Sequence, residues 1–397
     1  EHMDRVGKKI LSTGNGRCNM TNLDMRPECY RCGQPAFPMK VLEGFTVEQT
    51  LEFFRELGIE TRSRGGYIYP GSDQASAVLD VLRREVERLG VVVLTGCEVR
   101  EVSAVEGCRP RDTHFVVKTS QGDLAADAVI LAAGSKAAPN TGSDGSGYEL
   151  AKGLGHKVIR PLPALVQLRC QGRHYKQLAG IRTEAHLSLY ADGSLLAEDT
   201  GELQLTDYGI SGIPVFQLSR FAAAALDAGR QVKASIDFLP GFRDNEALWQ
   251  ELVEEKCTSC RQRSMEVLFG GLVNKKIIQT AVKLCGLSMG DRAERKNLPA
   301  IRKVFALLRS FEVQVTDTNP FANAQVCAGG VPLTEVDGHL ESRICPGLYL
   351  AGELLDADGR CGGYNLQWAW TTGYIAGKDA VLSLGKPAGQ RKKGKRE

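Results

Sequence analysis

The stretch from Gly347 to Gly377, GLYLAGELLDADGRCGGYNLQWAWTTGYIAG, constrains this chain more than any other. Gly347-Leu348-Tyr349-Leu350-Ala351-Gly352 is a short apolar run closed by glycine, the pattern of a buried strand. Glu353 stands at its end. A polar loop with Asp356, Asp358 and Gly359 leads to Gly362-Gly363-Tyr364-Asn365, and a helix is predicted from about Asn365 to Leu384. Strand, carboxylate, glycine pair and helix start together suit an anionic or polarisable ligand. The free N–H groups of a helix N-terminus carry about half a positive charge and favour negative charge beside them.

Other runs read as parts of a sheet-and-helix layer. Gly14 to Asn19 puts two glycines and two asparagines in six residues. Glycine lets backbone approach a ligand closely, and asparagine tolerates a left-handed conformation. Ala75, Val78, Leu79, Leu82, Val86 and Leu89 recur at helical spacing, Gly90 ends that helix, and Val91 to Leu94 is predicted as a strand. Phe115 to Thr119 and Leu124 to Ala126 flank a Gln121-Gly122 turn as a hairpin does. Asp127 to Gly134, DAVILAAG, reads as a buried strand closing on glycine. Thr141 to Gly147 is a glycine-rich turn before a helix over Tyr148 to Gly155.

After His156 the pattern changes. Leu165 to Leu168, His186 to Tyr190, Leu195 to Glu198 and Glu202 to Thr206 are short strand-like runs broken by glycines, which suggests a small β-barrel or sandwich. Pro214 opens a helix over Val215 to Ala228, since proline suits a first helical turn. Val232 to Leu239 is another strand, and residues 244–310 are mostly helical. No internal repeat is present.

The stretch 347–377 resembles the C-terminal FAD motif of the two-dinucleotide-binding-domain flavoproteins. Its version with Cys361-Gly362-Gly363-Tyr364-Asn365-Leu366-Gln367 resembles the bacterial BaiN-like, or aminoacetone-oxidase-like, FAD-dependent oxidoreductases. Residues 7–19, 205–219 and 327–377 carry the resemblance most specifically, and it extends over nearly the whole chain. It implies an α/β fold: a Rossmann-like FAD-binding domain with an inserted β-barrel plus a small helical domain. The expected boundaries are 1–158 for the first part of the FAD domain, 159–243 for the barrel and 244–310 for the helices. Residues 311–335 then return the chain through the insert, 336–385 complete the FAD domain, and 386–397 form a basic disordered tail.

The same resemblance implies site residues. Glu1 stands where an acid ending the second strand holds the adenosine ribose. In the family a strand–Gly-x-Gly-x-x-Gly–helix–strand unit of about 30 residues precedes that acid. The chain opens directly on Glu1, so it is expected to be N-terminally incomplete, to retain little FAD when expressed alone and to be poorly soluble. Lys8, Asn15, Gly16, Arg17, Cys18 and Asn19 belong to a segment along the flavin. Backbone near Val99 contacts the adenine, and Ala132, Ala133 and Gly134 pass close to FAD, with Ala133 where the superfamily has threonine. The superfamily strand usually ends Gly-Asp. Here Gly352 is followed by Glu353, with Asp356 close behind, and either acid could serve. Gly363, Asn365, Leu366 and Gln367 start the helix facing the flavin, and Leu366 and Gln367 present N–H groups that stabilise negative charge. The insert, with its motif Thr206-Asp207-Tyr208-Gly209-Ile210-Ser211-Gly212-Ile213-Pro214, forms the substrate chamber.

Composition excludes several classes. The 397 residues carry a net charge of +3, of which the tail from Lys386, with six basic residues and one acid, accounts for +5. The body is therefore near neutral, which makes a nucleic-acid partner unlikely. No run of about 18 apolar residues exists, so no membrane span is expected. Twelve scattered cysteines do not make a small disulfide scaffold, and a reduced cytoplasmic chain fits better. Cys29-Tyr30-Arg31-Cys32 and Cys257-Thr258-Ser259-Cys260 lie far apart and are read as ordinary thiols, with no metal site.

The catalytic acid or base is not legible. Cys18, Tyr208 and Tyr364 are candidates only because they lie in motifs. The resemblance implies FAD, flavin-mediated hydride transfer and NAD(P)H as a transient donor, with a conjugated ketone as the small-molecule substrate. The alternatives are an O₂-dependent oxidase of a small amine such as aminoacetone, a tRNA-modifying flavoprotein, and an inactive fragment.

Overall fold

Leu348–Leu350 pairs in parallel with Val129–Leu131, Leu348 opposite Val129 and Leu350 opposite Leu131. This computed structural model describes residues 1–106, 113–259 and 262–384. The chain forms two units, one built from Glu1–Leu162 and the chain from Phe321 onward, the other from Pro163–Pro320.

In the first unit the C-terminal helix Tyr364–Leu384 packs beside that strand pair. Its Trp368, Thr371, Thr372 and Ala376 are buried. Trp368 Nε1 donates to Gly352 O (3.1 Å), and Gly352 N donates to Thr372 Oγ1 (2.9 Å). Gly352 has φ of 69°, a left-handed value that glycine adopts without strain. The turn after the strand is thus riveted to the second helical turn, which brings the helix start to the strand's carboxyl end.

The helix Ala75–Arg88 forms as its spacing predicts. Gly90, at φ of 67°, ends it, and Val91 N reaches back to Val86 O (3.1 Å). The antiparallel meander Val99–Glu106, Thr113–Thr119, Gly122–Ala126 turns at the expected glycine.

Two strand expectations are corrected. Asp127 to Gly134 forms a strand only over Val129–Leu131, and Ile130 is 40% exposed. Val91 to Leu94 forms none, although Val92 is 82% exposed and its apolar neighbours are open too. A strand exists only with a ladder partner. Among the described residues the bonds of this run lie at its two ends: Val91 N donates to Val86 O, and the Glu1 amino group donates to Leu94 O (3.2 Å), with Gly96 N to Met3 O (2.9 Å) and Cys97 N to Glu1 O (3.0 Å) just beyond.

The second unit contains a closed barrel. Its strands run in the order Leu168–Cys170, Gly209–Gly212, Ser194–Leu205, Arg182–Ala191, Val232–Asp237, Phe311–Thr318 and back to the first. Every pairing is antiparallel. Two glycines of the 206–214 motif permit closure. A Cβ on Gly209 would stand 2.2 Å from Leu168 O, and one on Gly212 2.2 Å from Glu202 O. Ile213–Asp227, with Pro214 in its first turn, packs on the barrel. Residues 244–310 are mostly helical as expected, but they have no core of their own. Trp249, Phe269 and Phe305 share one cluster with Phe311 and Val313 of the barrel. Within the expected return segment 311–335, Phe311–Thr318 is the strand that closes the barrel.

No helix among the described residues is long and apolar enough to cross a membrane. The basic tail, Cys108 and Cys260 lie outside the described residues.

An exposed apolar run with unpaired backbone is a template for association. Val92→Lys is expected to slow aggregation of this chain without loss of folded stability. Light scattering at matched concentration and a thermal melt check it; unchanged scattering would show that this run is not the adhesive surface.

Candidate functional site

The ends of the parallel strands, the loop after Ser12 and the C-terminal helix start meet in the first unit. Ala132 and Ala133 follow the strand and are exposed, so little side chain covers the backbone there. Gly134 has φ of 75°, and a Cβ on it would lie 2.7 Å from Ser143 Oγ. Ser143 Oγ accepts from Ser135 N (2.9 Å) and donates to Ser135 O (3.0 Å). The glycine-rich turn 141–147 is therefore buckled to the strand end. Glu1 lies beside it: its Oε1 accepts from Met3 N (2.9 Å) and stands 3.1 Å from where a Gly142 Cβ would be. Val99 begins its strand two residues beyond Cys97, whose N–H bonds to Glu1 O.

Gly14, Asn15 and Gly16 all have positive φ (55°, 55° and 80°) and are exposed with Arg17. The chain then dives inward. Cys18 is fully buried, and its N–H bonds to Thr13 O (3.0 Å). The Asn19 amide nitrogen donates to Ile68 O and Thr21 O, each at 3.1 Å.

This buried segment is bolted to the helix start. Gln367 is fully buried; its Oε1 accepts from Thr21 Oγ1 (2.7 Å), and its Nε2 faces Thr50 Oγ1 (2.9 Å), Thr371 Oγ1 (3.0 Å) and Phe45 O (3.3 Å). Gly363 has φ of 93°, and a Cβ there would stand 2.6 Å from Thr21 O. Asn365 closes the preceding loop: Oδ1 accepts from Gly359 N (2.8 Å), and Nδ2 donates to Gly359 O (2.9 Å).

One assignment changes. Gln367 was expected to present its N–H to the ligand, but that group bonds to Gly363 O (2.9 Å). Tyr364, Asn365 and Leu366 carry the N–H groups that helix geometry leaves without an intrahelical partner. Lys8 pairs with exposed Asp4, and its neighbour Lys9 reaches the acid at the strand end. Lys9 Nζ donates to Ala137 O (2.8 Å) and lies 3.8 Å from Glu353 Oε2, while Glu353 Oε1 accepts from Cys327 N (3.2 Å). Of the two acids, Asp356 is buried and Glu353 keeps access to solvent.

The three acid–base candidates separate. Burial pushes the Cys18 thiol up to about 11 and the Tyr364 hydroxyl well above the ordinary range. Tyr208, in the second unit, is half-buried and bonded to Asn319 (3.1 Å). Among the described residues no group of His, Cys, Asp or Glu is placed to hold a metal ion.

The first-unit seat fits a flavin dinucleotide. Small exposed residues and left-handed glycines leave room for a flat ring, and the helix start supplies donors for its negative edge.

The HI0933-like protein Rossmann domain family matches residues 1–379. A 3-dehydro-bile acid delta(4,6)-reductase of Clostridium scindens is 44% identical over 382 residues, 96% of this chain and 91% of that protein. The ribosomal RNA dihydrouridine synthase of Escherichia coli is 26% identical over 384 residues, 96% of this chain and 90% of its own. Among solved structures, a 3-ketosteroid-delta4-(5alpha)-dehydrogenase from Rhodococcus jostii RHA1 aligns over 98% of this chain and 91% of its own, with 14% identity and a TM-score of 0.41.

Two substitutions separate seating from folding. Gln367→Leu strands buried Thr21, Thr50 and Phe45 groups and should cost about 3 kcal/mol of stability, read by denaturant unfolding. Asn365→Val unlocks the loop and crowds the helix start; it should weaken FAD binding by roughly tenfold, about 1.4 kcal/mol, and lower stability by less than Gln367→Leu does, because only the Gly359 N–H and C=O lose their partner. An unaltered FAD titration would remove the ligand from the helix start.

Proposed function

The chain belongs to the HI0933-like Rossmann-domain family, as the motif at Cys361 to Gln367 leads one to expect, and from that premise we propose how its flavin site is used. The protein is an FAD-dependent oxidoreductase that reduces a carbon–carbon double bond conjugated to a ketone, with NAD(P)H as electron donor. The identity of 44% to the bile acid reductase, with 96% of one chain and 91% of the other covered, carries this proposal. That relative's name describes reduction of double bonds next to an oxidised ring carbon.

When bound, FAD supplies the hydride chemistry, and the protein supplies position and field. Tyr364, Asn365 and Leu366 would direct their N–H groups at the negative edge of the ring. Gly14 to Arg17, with Ala132 to Gly134, would let backbone lie against it, and Gly352 would shape the strand end. Glu353, held by Lys9 and by the Cys327 N–H, would meet the polar chain of the cofactor. Glu1 would hold the ribose hydroxyls, with Val99 by the adenine.

A second substrate class is favoured by the two dihydrouridine synthases at 26% identity. Uracil also carries a double bond conjugated to a carbonyl, so the same hydride chemistry would serve. The near-neutral body argues for the small ketone, because nucleic-acid affinity rests largely on phosphate contacts.

Anaerobic stopped-flow mixing of the FAD-loaded protein decides between these. NADH or NADPH is expected to bleach the flavin, and a conjugated steroid ketone to restore its colour. Bleaching by aminoacetone and by neither nicotinamide would make the protein an amine oxidase. Retention of ribosomal RNA at low salt, with dihydrouridine formed, would move the substrate to nucleic acid.

A further inference from the structure

One polar cluster lies wholly within Pro163–Pro320, around a single barrel strand. That strand, Leu168–Cys170, runs between Gly209–Gly212 and Phe311–Thr318. Cys170 N donates to Tyr208 O (2.9 Å), and Asn319 N donates to Gln167 O (2.9 Å). Arg169, Tyr208 and Asn319 are thereby brought together from three segments of the same unit. Gly209 fixes the backbone immediately after Tyr208, since no larger residue clears Leu168 O.

The hydrogen bonds have only one consistent direction. A guanidinium can only donate. Arg169 Nη1 stands 3.2 Å from Asn319 Oδ1, which must accept. Asn319 Nδ2 therefore donates, to Tyr208 Oη (3.1 Å) and Gln167 Oε1 (3.3 Å). Tyr208 Oη is an acceptor in that pair, and no acceptor among the described residues takes its own hydrogen. The Arg169 guanidinium lies 5.4 Å from the centre of the Tyr208 ring. Its charge has no carboxylate partner among the described residues. Asp317, opposite Arg169 on the ladder, instead accepts from Thr318 N (2.7 Å). Asn319 is 5% exposed, Tyr208 is half-buried and Arg169 is exposed. A buried amide thus holds an unpaired guanidinium and a phenol with a hydrogen to give at one fixed spacing.

We propose that Arg169 and Tyr208, spaced by Asn319, form a binding site for a carboxylate on the second unit. The spacing carries the argument. Asn319 bridges the two groups with an oxygen and a nitrogen held on one planar carbon. The two oxygens of a carboxylate are held on one planar carbon in the same way. A carboxylate therefore spans the same pair from the open side, one oxygen on a remaining guanidinium N–H and the other on the phenolic O–H. Both of those bonds are donated to an anion, the stronger kind of hydrogen bond. The charge selects among anions. One guanidinium and a neutral phenol match a single negative charge. The exposed acids Asp207 and Asp317 stand beside Tyr208 and opposite Arg169 and oppose a doubly charged phosphate. The site needs nothing from the first unit and is independent of the flavin chemistry proposed above.

The test uses the FAD-loaded full chain, with sodium benzoate as the probe. Phenylglyoxal modifies guanidinium groups, and mass spectrometry of the peptide that contains Arg169 reads the rate at that residue alone. Saturating benzoate is expected to slow modification of Arg169 by roughly tenfold. Benzamide, with the same ring and no charge, should leave the rate unchanged. Tyr208→Phe keeps the ring beside the guanidinium and removes only the O–H. It should raise the benzoate concentration for half-protection by roughly tenfold, the worth of one hydrogen bond to a charged group. Equal rates with and without benzoate would overturn the assignment. Equal protection by benzamide, or stronger protection by inorganic phosphate, would overturn it too. Where Arg169 resists the reagent even without benzoate, calorimetric titration of benzoate into the parent and into Arg169→Met decides. The variant, changed at an exposed position, is expected to lose the binding, and identical titrations of the two proteins would again overturn the site.

Discussion

One buried carboxamide holds the first unit's site together. Gln367 links Thr21 near the start of the chain, Phe45 and Thr50 in the next helical region, and Thr371 on its own helix. Each partner is a polar group removed from water, so each depends on the amide to avoid a desolvation cost. The amide registers the helix start against the loop Gly14 to Asn19, and Gly363 lets the two backbones touch. On the strand side, Trp368 and Thr372 do the same through Gly352. The exposed groups of the seat are positioned by groups that no ligand would ever meet.

The second unit solves a different problem with the same device. Its barrel closes because Gly209 and Gly212 let strands approach without a Cβ between them. The helices of residues 246–309 complete its core rather than forming one. Reduction of a conjugated carbonyl has two demands, a hydride source at one carbon and charge stabilisation at the oxygen. The proposed function gives the first to the cofactor.

The sequence made much of this legible. Period and punctuation pointed to the helices Ala75–Arg88, Ile213–Asp227 and Tyr364–Leu384 and to a barrel or sandwich, because these depend on local spacing and on glycine or proline; the closed barrel is the structure's choice between the two. The motif from Cys361 to Gln367 gave the family. It failed at Val91 to Leu94, where an apolar run looks like a strand whether or not a neighbour pairs with it. It also named the Gln367 N–H, because adjacency in a motif does not say which group stays free of an intrahelical bond.

What the sequence by itself determined is therefore the class of cofactor site, the helix that caps it and the two kinds of architecture. The tertiary structure alone decided which atoms are available. Lys9 reaches Glu353, Gln367 is a buried bolt, and Cys18 is fully buried. The physical reason is that a hydrogen bond's direction and a group's desolvation depend on partners far along the chain. Asn319 lies 111 residues from Tyr208, and Thr21 lies 346 from Gln367. No local pattern records such pairings.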